Sequence, residues 1–193
     1  MWAEQLRDGE QIVVRPIRPD DRAELAAGME RLSPESRYRR FFTPASRLSA
    51  SQLRYLTEVD HHDHEALVAV QPETGHGIGV ARFVRSPADR ELAEVAVAVA
   101  DSWQGRGVAT ALLDHLTERA RDEGIHRFSA EILAENQPML ELIDEVGQVT
   151  IKHRDHGSVE VEVELPAEGI GAALRETLRA AARGLLRVPH LMR

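Results

Sequence analysis

The stretch Glu94-Val95-Ala96-Val97-Ala98-Val99-Ala100-Asp101-Ser102-Trp103-Gln104-Gly105-Arg106-Gly107-Val108-Ala109 decides how this 193-residue chain is read. Leu92 to Ala100 is almost wholly apolar, which predicts a strand buried on both faces. The spacing of Val108, Leu112, Leu113 and Leu116 predicts a helix from Val108 to about Glu123, stopped by Gly124. A glycine-bearing loop joins the two. A helix N-terminus carries unpaired N–H groups and a partial positive charge, so this junction can hold an anion. Gly105 and Gly107 permit positive φ and close approach of the backbone to the anion. Successive N–H groups in such a loop form a concave nest for phosphate, and Arg106 can add a charge-assisted contact. The same glycines suit a plain strand-to-helix turn, so spacing alone leaves phosphate binding open. No Gly-Lys-Ser/Thr follows, which excludes a Walker loop, and the Gly-x-Gly-x-x-Gly dinucleotide pattern is absent.

Working upstream, Ala66 to Gln71 and Ile78 to Val84 read as strands around the turn Gly75-His76-Gly77. Before them come a short β-rich run, Gln11 to Arg18, and three helices. Pro19-Asp20-Asp21 opens the first with acids in its first turn, Ser33-Pro34-Glu35 the second with proline at its first position, and Ser49 to Val59 is the third. Downstream, Phe128 to Leu133 is a strand and Gln137 to Val146 a helix entered through Asn136. Val149 to His153 and Val159 to Leu165 read as a closing hairpin. In its second arm Val159, Val161, Val163 and Leu165 alternate with Glu160, Glu162 and Glu164, one face buried and one wet. Pro166 ends this body, and Ile170 to about Val188 is an amphipathic helix with arginines beside its leucine side.

The expected organisation is one domain over residues 1–166 and a helical extension over 167–193. Five arginines against two glutamates give the extension +3, so the body holds −11 of the net −8. Lys152 is the single lysine; the other basic residues are arginines. Net negative charge argues against a nucleic-acid partner. No apolar run is long enough for a bilayer, so no membrane role is expected. The absence of cysteine and of a signal-peptide pattern fits the cytoplasm. His61-His62-Asp63-His64-Glu65 offers several ligand types, but consecutive residues ahead of a strand do not converge as three or four ligands, so no metal is expected. The extension is read as packing on the body or on a second subunit of a homodimer.

Gln104-Gly105-Arg106-Gly107-Val108-Ala109 resembles the Gln/Arg-x-x-Gly-x-Gly/Ala signature of the GNAT superfamily of N-acetyltransferases. The likeness extends upstream through Ala93 to Val99 and downstream through Asn136-Gln137-Pro138-Met139-Leu140. The region Ser33 to Phe42 looks like the bacterial protein-lysine acetyltransferase branch. The resemblance implies an α/β (α+β) fold with a mixed, mostly antiparallel sheet flanked by helices, and acetyl-CoA lying where two central strands splay apart. It places Gln104, Gly105, Arg106, Gly107, Val108 and Ala109 at the pyrophosphate, the backbone of Val97 and Val99 at the pantetheine arm, and Asn136 on the opposite wall. It also makes the Val97 N–H the donor to the thioester carbonyl, an oxyanion-hole role.

Glu94, ten positions before Gln104, matches the branch's catalytic glutamate. A lysine amine has an ordinary pKa near 10.4 and arrives protonated, so it needs a base. A carboxylate in an apolar site can take that proton directly or through water. Many family members carry a tyrosine on the helix after the asparagine to protonate the departing thiolate; the matching position here is Ile143. The implied reaction is acetyl transfer from acetyl-CoA to a primary amine, with protein lysine favoured as acceptor. A small-molecule amine and a non-catalytic acyl-CoA sensor are the alternatives.

Overall fold

The computed structural model describes residues 1–41, 47–146, 148–154 and 157–165. Phe42, Gly147 and the amphipathic helix expected after Pro166 lie outside the described residues, as does the side chain of Ile143. Among the described residues eight strands form one sheet: β1 (Trp2–Gln5), β2 (Gln11–Pro16), β3 (His64–Val70), β4 (Gly77–Arg85), β5 (Leu92–Val99), β6 (Arg127–Leu133), β7 (Val149–Arg154) and β8 (Ser158–Glu164). The described α-helices are α1 (Arg22–Arg31), α2 (Pro34–Phe41), α3 (Ala50–Thr57), α4 (Val108–Asp122) and α5 (Gln137–Val146). The strand order is β1-β2-β3-β4-β5-β6-β8-β7. Every neighbouring pair is antiparallel except β5 and β6, which are parallel. A parallel pair needs a crossover, and α4 is that crossover. The mixed, mostly antiparallel sheet with helices is the architecture the sequence implied.

Each element follows from local chemistry. Ser49 accepts from the Gln52 N–H while the Gln52 side chain accepts from the Ser49 N–H, a capping box that starts α3. Leu112, Leu116 and Ala120 are fully buried on the inner side of α4, where the helix packs on β3 and β4. On β8, Val159, Val161 and Val163 are buried and Glu160 and Glu164 exposed, as the alternation predicted. On the other side of the sheet, Ile17, Ala66 and Val68 form a second, smaller cluster.

One strand lies outside the sequence expectations, and one expectation changes. β1 has only four residues and no distinctive pattern, and its place at the sheet edge comes from pairing Trp2–Gln5 with Gln11–Val14. β5 is not buried throughout: Ala93 and Val95 are buried, whereas Ala96 to Val99 are half-exposed. Its pairing with β6 covers only Leu92, Ala93 and Glu94 against Arg127, Phe128 and Ser129, and beyond Glu94 the two strands part.

The histidine-rich turn before β3 is structural. Glu65, with a side chain only 1% exposed, accepts from Arg119 Nε at 3.2 Å and from the Ala66 N–H at 2.9 Å, and pairs with His61 Nδ1 at 2.7 Å. A buried carboxylate needs such partners to remain charged. Asp63 accepts from Arg85 Nε at 2.7 Å and pairs with Arg90, while His62 pairs with Glu123. His64 Nε2 lies 3.2 Å from Arg82 Nη1. Burial, reinforced by that guanidinium, lowers the His64 pKa to about 4. These residues tie the start of β3 to α4, β4 and the β4–β5 turn. Among the described residues no group of three or more His, Asp or Glu converges as a metal site.

Candidate active site

The gap between β5 and β6 opens a cavity of about 600 Å³. Its polarity follows from the ladder. The Ala100 N–H donates to the Ile78 carbonyl on the β4 side, and the period of two assigns the even-numbered residues of β5 to that ladder. The backbone groups of Val95, Val97 and Val99 therefore face the β6 side, where pairing has ended at Glu94. The cavity wall includes Val97 and Val99 as well as Glu94.

Gly105 and Gly107 adopt φ +72° and +100°, the left-handed conformations that the glycines were expected to supply. Gly107 is the N-cap of α4 and offers no side-chain cap, so the first-turn N–H groups of the helix remain available to an anion. Gly105, Gly107, Val108 and Ala109 line the cavity at this end. Gly79 brings α4 close to the sheet: a Cβ there would lie 3.0 Å from Leu112 Cδ1 and 3.1 Å from Val108 Cγ1.

Gln104 lies on the cavity wall, but its amide has other partners. Nε2 donates to the Val99 carbonyl at 3.1 Å and to Ser36 Oγ at 3.2 Å. Beside it, Asp101 accepts from the Ser33 N–H at 2.7 Å, Ser33 Oγ at 3.0 Å and Ser36 Oγ at 2.5 Å. Burial opposes the charge on Asp101, but the hydrogen bonds from Ser36 and Ser33 prevail and hold its pKa below the ordinary value. Asp101 and Gln104 thus latch the start of α2 to the glycine loop. No local pattern signals this latch, because its members are 65 to 68 positions apart.

Arg106 departs from its expected place. Its Nε donates to Asp8 Oδ2 at 2.5 Å and its Nη2 to Glu10 Oε2 at 2.8 Å, while the guanidinium lies 4.1 Å from the centre of the Trp103 ring. The two carboxylates raise the Arg106 pKa, and Arg106 lowers that of Asp8. The Arg106 side chain is not part of the cavity wall; two nearby acids on the β1–β2 turn outcompete the pocket for it.

At the far end Glu94 is solvent-exposed, paired in register with Val84 and Ser129. Its surroundings are more open than the apolar site expected from sequence. Asn136 begins α5, accepting from the Met139 and Leu140 N–H groups, and stands on the cavity wall with Met139 and Leu142. Glu131 and Glu141 also line the cavity. The structure brings Glu94, Val97, Val99, Gln104, Gly105, Gly107, Val108, Ala109 and Asn136 around one cavity.

The profile of the acetyltransferase (GNAT) domain matches residues 11–149. The chain belongs to the GNAT acetyltransferase family. Acetyltransferase Pat of Mycolicibacterium smegmatis is 37% identical over 162 residues, which span 84% of this chain and 48% of that protein. The chain therefore covers about half the length of that relative. An acetyltransferase of Pseudomonas aeruginosa is 32% identical over 150 residues, 77% of this chain and 80% of that protein. The crystal structure of the GNAT domain of S. lividans PAT superposes with a TM-score of 0.79 at 40% identity, covering 85% of this chain and 96% of that one.

Proposed function

We propose that the chain moves an acetyl group from acetyl-CoA to a primary amine, with a protein lysine as acceptor. The observation that supports this reading is a single cavity lined by Glu94, by the uncapped N-terminus of α4 and by the stretch of β5 that β6 no longer pairs. The residues fit an acyl donor with an anionic tail. First-turn N–H groups of α4 and the loop at Gly105 and Gly107 take its phosphates, while the Val97 and Val99 backbone and Asn136 hold the arm that carries the thioester.

Glu94 accepts a proton from the ammonium group of the acceptor through water, which its exposure permits. The freed amine nitrogen forms a bond to the thioester carbonyl carbon. The Val97 N–H stabilises the charge that develops on the carbonyl oxygen. The C–S bond then breaks, the attacking nitrogen gives up its second proton to water and becomes the amide, and the thiolate takes a proton from solvent. No covalent enzyme intermediate is required, because donor and acceptor meet in one cavity. Glu94, Glu131 and Glu141 give its wall an acidic character suited to a cationic acceptor. The lysine assignment rests on the likeness of Ser33 to Phe42 to the protein-lysine branch. We also assign 1–166 as the transferase domain, acting in the cytoplasm.

The test is calorimetry with acetyl-CoA, followed by a free-thiol assay over lysine peptides and small amines. Binding and thiol release with lysine peptides are expected. Release only with small amines would overturn the protein-lysine reading. Binding without release in any arm would overturn catalysis, and absence of binding would overturn the whole assignment.

A further inference from the structure

The glycine loop lacks the cation its sequence supplies, because Arg106 is committed to Asp8 and Glu10. The formal charges of those three side chains sum to −1. Three acids, Glu94, Glu131 and Glu141, line the same cavity. An anionic donor must enter this field, and the described wall contains one basic side chain, Arg7.

The fold brings Arg7 there from the far edge of the sheet. β1 and β2 form a hairpin whose turn, residues 6–10, rests on the glycine loop. The Arg7 N–H donates to the Arg106 carbonyl at 3.3 Å. The side chain lies across Gly107: a Cβ on Gly107 would stand 3.7 Å from Arg7 Cγ and 3.9 Å from Arg7 Nε. Arg7 is exposed and makes no ion pair among the described residues. Its guanidinium is a planar fork suited to phosphate, and it stands beside the helix N-terminus that would receive the same anion.

We infer that Arg7 binds a phosphate of the acyl donor. The inference rests on the acetyl-CoA reading above. Asp8 and Glu10 hold the turn to the loop through Arg106, and the Arg7 side chain lies beside Gly107.

The experiment compares wild type with Arg7→Ala, Arg7→Gln and Arg7→Lys on three donors: acetyl-CoA, its 3′-dephospho form and the phosphate-free thioester of N-acetylcysteamine. Circular dichroism and thermal melts verify folding, which an exposed turn residue should leave intact. Arg7→Ala and Arg7→Gln are expected to raise KM for acetyl-CoA by about 10-fold, the scale of one partly exposed charge-assisted hydrogen bond, with kcat unchanged. Arg7→Lys should fall between, keeping charge but losing the fork. The phosphate-free donor should be used equally by all four proteins. An equal loss with the 3′-dephospho donor places the contact on the pyrophosphate, and loss confined to acetyl-CoA places it on the 3′-phosphate; both support Arg7. Equal impairment with the phosphate-free donor, or no change with any donor, overturns the inference while leaving acetyl-CoA use intact. A wild-type protein that does not bind acetyl-CoA overturns the donor reading itself, and Arg7 with it.

Discussion

The two ends of the cavity are built differently. The end at the glycine loop is made of backbone: two glycines at positive φ, a helix N-terminus without a side-chain cap, and a loop fastened by Asp101 and by the Arg106 pairs. The rest of the wall is made of side chains on strands and one helix, with Glu94 exposed to solvent and Glu131 and Glu141 lining the same cavity. A backbone nest is complete before any ligand arrives, because its donors are fixed by φ and ψ. A carboxylate on an open strand acquires its role only when a substrate stands beside it. The difference explains why the motif points to the donor more sharply than to the acceptor.

Substitutions should separate the two ends. Glu94→Gln is expected to have the largest effect, lowering kcat by at least ~10²-fold, with acetyl-CoA affinity by calorimetry unchanged. Near-wild-type turnover in the folded variant would remove Glu94 as the base. Gly107→Ala should act on the other end. A side chain at φ +100° costs about 1–3 kcal/mol of strain, so acetyl-CoA should bind roughly 10-fold more weakly or worse. Unaltered binding there would mean that the loop geometry does not hold the donor.

Asp101→Ala should have an intermediate effect, since it releases α2 from the loop. The loss of exposed hydrogen bonds to Ser33 and Ser36 should destabilise the fold by about 1 kcal/mol. It should also raise the acceptor KM more than the donor KM, because α2 stands at the cavity rim through Ser36. Equal changes in both constants would assign the latch to general stability. The smallest effect concerns a region outside the cavity. His64 titrates at about 4 when folded and near 6.5 when unfolded. The unfolded chain therefore binds the extra proton first, and stability should fall as pH drops from about 6.5 towards 4. His64→Gln should flatten that slope, measured as urea midpoints at pH 7 and pH 5, while turnover at pH 7 stays unchanged. An unaltered slope would mean that His64 does not drive the loss.

Much of the fold could be read from local pattern. α5 spans Gln137–Val146, the residues predicted, and α4 begins at Val108 as its apolar spacing required. Both readings hold because helical periodicity and punctuating residues act within a few positions. β1 escaped because four residues without a clear alternation become a strand only by pairing with β2. The half-exposed end of β5 was misread for a related reason. Its apolar composition is that of a buried strand, and only the divergence of β6 after Ser129 leaves it open.

The sequence by itself determined the strand–glycine–helix junction, because φ and helix-terminus chemistry are properties of adjacent residues. It also placed Glu94 and Asn136 at distances from the junction that one cavity can accommodate. Only the tertiary structure decided which charges surround the cavity. Arg106, next to the glycines in sequence, is drawn away by Asp8 and Glu10, and Arg7, about a hundred positions earlier, takes its place on the wall. Coulombic partners are chosen by distance in space, and a chain that returns its first hairpin to the central loop sets those distances through the sheet rather than along the sequence.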